Sequence, residues 1–332
     1  MRDEALEQGN IRIRKTKAIL HKMYENCVDE IIFAFSPFLD ALYHLEETAP
    51  KEGRREWLKK ERRKLITMTN PAIDMLDVIR KTQREAYPVA LAPIRDIYCQ
   101  NFLYIISEIR KEIELTADLL LDMWAEGLLN DYDELIEESE REYPKRPEAV
   151  AIKRWRDALY EETAGKHAME NFLNALPIAK GEITQEVKRG IREVVAVIER
   201  HTDRFLDNID SHFTSAGRVE GGEKLLDEFP EQFVDDAEMR KVWVCTFENS
   251  RDSHMQMHLQ DRDMDEDFIS GLGNILRFPG DMLAPVEDWI NCKCYVVITT
   301  EEGVEQMRKT DPKYGLMQAE MERRRLKEAA NK

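Results

Sequence analysis

Hydrophobic residues in the first two thirds of the chain recur at steps of three and four, the spacing of amphipathic helices. Clear stripes of this kind run through residues 31–45, 94–129 and 184–213. Two further helices are expected, one in residues 149–175 and a polar one in residues 302–330. We therefore predict a mainly α protein with an elongated helical N-terminal region.

Proline and glycine residues predict where these helices begin and end. Pro88 and Pro93 precede the second stripe, so we expect its helix to begin directly after them. Gly217 and Gly221 follow the third stripe and predict a hinge-like break in the chain. The helical region is therefore expected to span residues 1–215.

In the last third of the chain the hydrophobic residues no longer recur at helical spacing and form short runs instead. Residues 242–247 (VWVCTF) and 295–299 (YVVIT) are short runs of β-branched and aromatic residues, which are typical of strands. The segment between them contains several turn-forming residues. We predict a small α+β module with a short β-sheet in residues 216–300, followed by a polar helix or tail in residues 301–332.

Most of the candidate chemistry lies in this module, which contains three of the five cysteines and two of the seven histidines. Cys292 and Cys294 lie two residues apart, and thiolates with nearby imidazoles are the ligands that tetrahedral zinc prefers. The sequence therefore suggests a zinc site formed by these cysteines with His254 and His258. Cys245 joins the candidates if its strand pairs with the last strand, and Arg251 is placed to support the site.

Two metal-free interpretations remain open at this stage. In the first, the thiols are packed in the core, and His254 bonds to backbone groups. In the second, a cysteine and a histidine form a nucleophilic pair that is oriented by Asp281 or Asn291. The spacing from His254 to His258 also suits two zinc ligands on one helical face, but the glutamate of the His-Glu-x-x-His motif is missing.

The order of the motifs in residues 241–300 is distinctive. In this order and spacing the segment resembles the phage Mu F-like minor head, or head morphogenesis, proteins. Two positions depart from the usual pattern of that family: Lys293 replaces an arginine between the cysteines, and Leu259 replaces a glycine, so we expect the segment after His254 to be more helical. The residues that carry the resemblance are Trp243, Thr246, Arg251, His254, Phe268, Pro279, Gly280, Asp281, Pro285, Glu287, Asn291, Cys292 and Cys294.

The resemblance implies a minor capsid protein that is incorporated in few copies near the portal or in the head interior. In some phages such proteins enter the host with the DNA. The implied partners are the portal or other head proteins, and the implied location is the virion, assembled in the bacterial cytoplasm. The helical region would then dock on these partners. The competing function is a zinc-dependent nuclease or a Cys–His hydrolase of a phage or toxin system.

The hydrophobic pattern at residues 31–45 leaves one question about partners open. The broad apolar stripe at residues 31–45 is expected either to be buried core or to dock on another subunit.

Pro279, Gly280, Asp281 and Asn291 are expected to shape a loop, because proline, glycine, aspartate and asparagine favour tight turns.

Charge limits the role of nucleic acid. The 332 residues carry a formal net charge of −17, whereas phosphate binding needs a surplus of lysine and arginine. The segment from Lys51 to Lys64 is an exception, because it contains eight basic residues and three acidic ones. We interpret this segment as a solvated helix face that makes at most weak contact with DNA or with an acidic partner.

No membrane association is expected, because no apolar run reaches the roughly 20 residues of a spanning helix and the N-terminal residues lack the apolar core of a signal peptide. Five cysteines with irregular spacing are typical of free thiols in a reducing cytoplasm.

Overall fold

The fold is mainly helical, with a small sheet near the C-terminal end, which confirms the predicted fold class. The long helices are α1 (Glu4–Thr48), α2 (Arg54–Thr69), α3 (Pro71–Arg110), α4 (Asp118–Ser139), α5 (Pro147–Glu161) and α6 (Ile183–Glu228). The computed structural model describes residues 4–110, 118–161, 168–169, 171–173, 183–228, 239–247, 250–317 and 319.

The module after α6 contains two small sheets and three short helices. Its elements are β1 (Met239–Val244), α7 (Asp252–Met255), β2 (Asp261–Asp263), β3 (Phe268–Ile269), β4 (Ile275–Leu276), α8 (Val286–Trp289), β5 (Tyr295–Thr300) and α9 (Glu301–Thr310). The larger sheet is antiparallel, with strand order β2-β1-β5, and β3 pairs with β4 in a separate hairpin. The expected polar C-terminal helix is present as α9 and a helical segment at residues 312–317, and the remainder of that prediction lies outside the described residues.

The chain forms two compact units, each assembled from separate stretches. The first contains Met1–Ile13, Ala92–Lys153 and Phe205–Lys332, and the second contains Arg14–Leu91 and Arg154–Arg204. The proposed boundary between residues 215 and 216 lies inside α6, which continues to Glu228.

The second unit is a helical core built around one face of α1. Tyr24 bonds across this core, with its hydroxyl 2.5 Å from Oγ1 of Thr202 on α6. The aromatic stripe predicted at residues 31–45 is therefore part of this core, which was the first of its two interpretations. The buried residues of α1 in this unit include Leu20, Tyr24, Ile31, Phe35, Phe38 and Leu42.

In the first unit, the module packs on the C-terminal half of α6. Arg218 of α6 is fully buried and donates to the Val296 carbonyl on β5 at 3.0 Å and to Oδ1 of Asn101 on α3 at 2.7 Å. Nearer the start of this half, the Asn291 amide donates to Oδ1 of Asn208 at 2.6 Å. These contacts fix the loop before β5, which carries both cysteines of the candidate site.

Two predicted helix ends are wrong. Helix α3 begins at Pro71 and continues through Pro88 and Pro93, although an interior proline removes a hydrogen bond and disfavours the helix. Burial explains this, because Ala90 and Ile94 on either side of Pro93 are fully buried. The predicted continuation of this stripe to residue 129 includes residues 111–117, which lie outside the described part of the chain.

The predicted break after residue 213 is also absent. Gly217 and Gly221 lie inside α6, where they allow close packing of another helix. A Cβ on Gly217 would lie 2.5 Å from the backbone oxygen of Tyr98, and one on Gly221 would lie 2.9 Å from that of Phe102. These glycines serve contact between α6 and α3 and do not form a hinge.

No helix in the described part of the chain has an apolar stretch long enough to cross a membrane.

Candidate metal centre

The sheet brings two cysteines together at its end. Strands β1 and β5 are antiparallel, and their last paired residues are Val244 and Tyr295. Cys245 and Cys294 are the next residue on each strand beyond that pair, and their side chains are in hydrogen-bonding contact. The strand pairing on which the candidacy of Cys245 depended is therefore present.

His254 completes the cluster from the other side. It lies on α7, and its Nδ1 is 3.6 Å from Sγ of Cys292 and 3.9 Å from Sγ of Cys294. One ligand atom from each of these three residues lies within 4.8 Å of the others. Two thiols and an imidazole thus converge, as the Cys-x-Cys motif and His254 suggested.

The cluster is closed by aromatic and aliphatic side chains. Trp243 and Phe268 are fully buried, and their rings meet edge to face with centroids 5.4 Å apart. The Trp243 ring also contacts the imidazole of His254 at a centroid distance of 5.3 Å. His254 is 2% exposed, and Cys292 and Cys294 are each 3% exposed. The three groups therefore belong to the core of the module.

A buried carboxylate lies behind the imidazole. Oδ1 of Asp288 is 3.5 Å from Nε2 of His254, on the ring edge opposite the sulfurs. The other oxygen of Asp288 accepts hydrogen bonds from Ser270 Oγ at 3.2 Å and Asn274 Nδ2 at 2.6 Å. The sequence motif pointed to neighbouring Glu287 and missed Asp288, and no spacing signal distinguishes these two residues of α8.

Hydrogen bonds among the three cysteines shift the pKa values of their thiols. A hydrogen bond from Cys294 lowers the pKa of Cys292 well below that of an ordinary thiol, and the nearby His254 lowers it further. The contact with Cys294 also lowers the pKa of Cys245 to about 6. The pKa of Cys294 is raised, because its proton is held between the other two sulfurs. Burial lowers the pKa of His254, but its hydrogen bond to Cys292 and the charge there outweigh burial and raise it.

A small polar cavity of about 200 Å³ lies beside the cluster. Arg251 begins α7 as its N-cap residue, and its guanidinium donates to the carbonyl of Ile290. Lys293 points to Asp207 of α6, with Nζ 3.2 Å from the carboxylate. The residues that line the cavity are Ser250, Arg251, His254, Asn291, Cys292, Lys293 and Cys294.

The structure does not bring His258, the other histidine predicted as a metal ligand, into this cluster. Helix α7 ends at Met255, so the four-residue spacing does not place His254 and His258 on one helical face. The imidazole of His258 instead accepts from the Cys245 amide at 3.1 Å and meets Oδ2 of Asp311 at 3.1 Å. Both ring nitrogens are thereby engaged.

The expectation of a more helical segment after His254 is also wrong. Residues 256–259 form turns, and Leu259 has a φ of 56°, in the left-handed region that favours glycine. Leu259 is buried to 1% exposure, and its amide donates to the Trp243 carbonyl at 2.8 Å. Burial and this hydrogen bond hold a leucine in a turn that glycine would adopt without strain.

The other motif residues shape turns of the backbone, at residues 280–281 and directly before Cys292. Gly280 has a φ of 79° and packs on Ser211 of α6, where a Cβ would lie 2.6 Å from the hydroxyl. Asp281 is 2% exposed and pairs with Arg277 at 2.8 Å. Asn291 has a φ of 55°, which asparagine tolerates. Asp288 is therefore the side chain that faces Nε2 of His254, in place of the predicted Asp281 or Asn291.

Comparisons of the chain with protein-family models, with curated proteins and with solved structures find no match. The chemistry of the site rests on its own residues. Buried thiols and an imidazole within reach of one another form a group that can hold a metal ion.

Proposed function

We propose that this chain is a minor head protein of a tailed bacteriophage, incorporated in few copies near the portal or in the head interior. The observation that carries the proposal is the convergence of the family-like motif on one buried cluster. Trp243, His254, Phe268, Cys292 and Cys294 lie scattered over residues 243–294 yet share one core. These motif residues therefore form the core of the module.

Burial supports a structural role of the cluster over catalysis. A thiol that acts on a substrate needs exposure as well as activation. The pKa of Cys292 is lowered, as a nucleophile requires, but Cys292 and Cys294 are each only 3% exposed, beneath Trp243 and Phe268. The ion pairs of Asp281 also hold the module in place, because Arg277 joins this buried carboxylate to Glu148 of α5 at 2.8 Å. These contacts hold the module to the helices of its own unit.

The helical part of the chain supplies surface for docking in this proposal. Phe33 of α1 is 83% exposed, although its neighbours on the opposite face of the helix are core residues. Large exposed aromatic residues are common at the centres of protein interfaces. A net charge of −17 is also compatible with a protein that lies among packaged DNA without binding it tightly.

The proposal is tested by assembly with a portal. The full-length chain is co-expressed with the portal protein that is encoded beside its gene, and the mixture is separated on a sizing column. We expect the chain to elute with portal rings, and we expect Phe33→Ser to weaken that association without altering the helical signal in circular dichroism. Portal rings that elute without the chain, or particles from an induced lysogen that lack it by mass spectrometry, contradict the proposal.

A Cys–His hydrolase is the second candidate, because one geometric feature favours it. Cys292, His254 and Asp288 lie in a row, with 3.6 Å between sulfur and Nδ1 and 3.5 Å between Nε2 and the carboxylate. This order of nucleophile, base and orienting acid is that of cysteine hydrolases. A small cavity that Cys292 helps to line lies beside it. An activity that Cys292→Ala abolishes in a folded protein would establish the hydrolase.

A further inference from the structure

We propose that Cys245, Cys292, Cys294 and Nδ1 of His254 bind one zinc ion, which ties together the segments of the module. The inference rests on these residues alone and is independent of the proposed role in a phage head. It goes beyond the Cys-x-Cys motif because it assigns the fourth ligand to Cys245 and removes His258.

The distances within the cluster match the dimensions of a zinc site. Zinc–sulfur bonds of about 2.3 Å and zinc–nitrogen bonds of about 2.0–2.1 Å in a tetrahedron place sulfur and nitrogen about 3.6 Å apart. The distances from Nδ1 of His254 are 3.6 Å to Cys292 and 3.9 Å to Cys294. Ligand atoms of all three residues lie within 4.8 Å of one another. Only a small adjustment is needed for an ion to lie between them.

Cys245 lies next to this group of three, outside the set of ligand atoms within 4.8 Å of one another, and is the candidate for the fourth ligand. It is held opposite Cys294 by the pairing of β1 with β5, and the two thiols are in contact. It is also 3% exposed and belongs to the same buried cluster. Structural zinc sites have four protein ligands, commonly three cysteines and one histidine, whereas catalytic sites keep a position for water. The proposed set therefore describes a closed, structural site.

The surroundings of His254 provide a second, independent indication. Nε2 of His254 and Oδ1 of Asp288 are both buried and lack a hydrogen-bond partner among the described residues. Coordination through Nδ1 requires the ring proton to be on Nε2, where it points to the Asp288 carboxylate 3.5 Å away. Carboxylates in this position orient the imidazole and raise its basicity as a zinc ligand. Metal binding at Nδ1 thus places a proton on Nε2, which faces the one oxygen of Asp288 that has no hydrogen-bond donor among the described residues.

The local charges fit a bound cation with thiolate ligands. Three thiolates, a neutral imidazole and Zn²⁺ carry a net charge of −1. Arg251 begins the helix that carries His254, and its Nη1 is buried without a hydrogen-bond partner in the described structure. It lines the same cavity as Cys292 and Cys294. A guanidinium there offsets the excess negative charge of the thiolates.

The experiment measures metal in the full-length protein, purified without a histidine tag from cells grown with zinc. We expect one zinc ion per chain by elemental analysis. Cobalt exchanged into the site is expected to show thiolate-to-cobalt charge-transfer absorption with the visible spectrum of a tetrahedral ion. Cys245→Ser is expected to lower the charge-transfer intensity by about a third, since two of three thiolates remain.

Matched variants separate ligands from other buried groups. Cys99→Ser changes a buried cysteine outside the cluster, and His258→Ala changes the rejected ligand, so both are expected to keep full zinc content. Asp288→Asn keeps all four ligands and is expected to weaken zinc affinity by about 10- to 100-fold. This variant keeps the test decisive if a cysteine variant fails to fold.

Two results would overturn the proposal. One is a folded wild-type protein that contains no zinc and gives no thiolate–cobalt absorption on titration. The other is a cobalt spectrum that Cys245→Ser leaves unchanged but His258→Ala alters, because the fourth ligand would then be His258.

Discussion

The imidazole of His254 lies between a pair of thiols and a buried carboxylate, with Nε2 3.5 Å from Oδ1 of Asp288. Asp288 is completely buried and reaches this position from α8, thirty-four residues after His254 in the sequence numbering. Its other oxygen is held by Ser270 and Asn274 of the β3–β4 hairpin. This one carboxylate therefore connects α7, α8 and the hairpin.

We predict that Asp288→Asn destabilises the metal-free module. Asp288 accepts from both Ser270 and Asn274 through Oδ2 and faces His254 with Oδ1. An amide has a single oxygen, so the variant loses either these two hydrogen bonds or the contact of an oxygen with the imidazole. Loss of a buried hydrogen-bond partner lowers the free energy of unfolding by about 1–3 kcal/mol. Urea unfolding in the presence of a chelator measures this effect. Glu287→Gln, an exposed change on the same helix, serves as the control and is expected to stay within about 0.5 kcal/mol of wild type.

The glycines of α6 give a second prediction, which uses a matched pair. Gly217→Ala places a Cβ 2.5 Å from the Tyr98 carbonyl oxygen, so α6 and α3 must separate. We expect a loss of about 1–3 kcal/mol in unfolding free energy, typical of overpacking. Gly127 of α4 has open space around it, and Gly127→Ala is expected to stabilise the protein by about 0.5–1 kcal/mol. Thermal melts of both variants check the contrast, and equal shifts of the same sign would contradict it.

These glycines also show how far helix boundaries can be predicted from sequence. The stripes identified the helices correctly as elements, because their buried residues recur at helical spacing. The ends were wrong wherever tertiary packing outweighed local preference. Pro88 and Pro93 lie inside α3 among buried residues, and Gly217 lies inside α6 at its close contact with α3. Local propensity contains no information about that contact.

A third prediction concerns pH and a buried histidine of α6. Burial lowers the pKa of His212 to about 4, against an ordinary value near 6.5. Its Nδ1 accepts from the Met282 amide at 3.1 Å, which requires the neutral ring. Above pH 6.5 the ring is neutral in both the folded and unfolded states. Between about pH 6.5 and 4 only the unfolded state gains a proton, so stability falls as the pH falls.

The expected loss over that range is about 3 kcal/mol, because the pKa of His212 is about 4 in the folded protein and near 6.5 in the unfolded chain. The measurement is the urea midpoint between pH 4 and 7 for wild type and for His212→Gln. We expect the slope of wild type to exceed that of the variant across this window. Parallel curves for wild type and His212→Gln would contradict the prediction.

The fourth prediction concerns DNA and helix α2. Lys59, Lys60 and Arg63 are exposed on α2, whereas Arg62 donates to the Leu173 carbonyl. We expect weak, sequence-independent binding that is lost by about 200 mM salt, because it rests on phosphate contacts alone. Replacing the three exposed residues by alanine should remove this binding in a gel shift.

The control for this test replaces Lys309, an exposed lysine of α9, and is expected to leave DNA binding unchanged. A shift that survives 200 mM salt, or one that the triple variant retains, would show that DNA is bound elsewhere on the chain.

The candidate site was only partly predictable from sequence. The pairing of Cys292 and Cys294 with His254 was visible, because the resemblance placed all three in one short module. The exclusion of His258 was not visible, since it depends on α7 ending at Met255 and on the turn at Leu259. Asp288 was also missed, because the burial of one of two adjacent acidic residues depends on the direction of a four-residue helix. Short elements take their orientation from tertiary contacts.

The last prediction separates a structural role of the thiols from a catalytic one. Cys292→Ala combined with Cys294→Ala removes two buried sulfurs from the cluster under Trp243 and Phe268. Without metal, we expect a loss of about 1–3 kcal/mol in unfolding free energy from packing alone. With zinc bound to wild type, the difference between the two proteins should be larger, and a chelator should reduce it, because binding stabilises only the folded state. Nuclease and esterase assays are run on the same preparations. A variant that melts like wild type but loses a hydrolytic activity would assign Cys292 to catalysis, with His254 and Asp288 as its base and orienting acid.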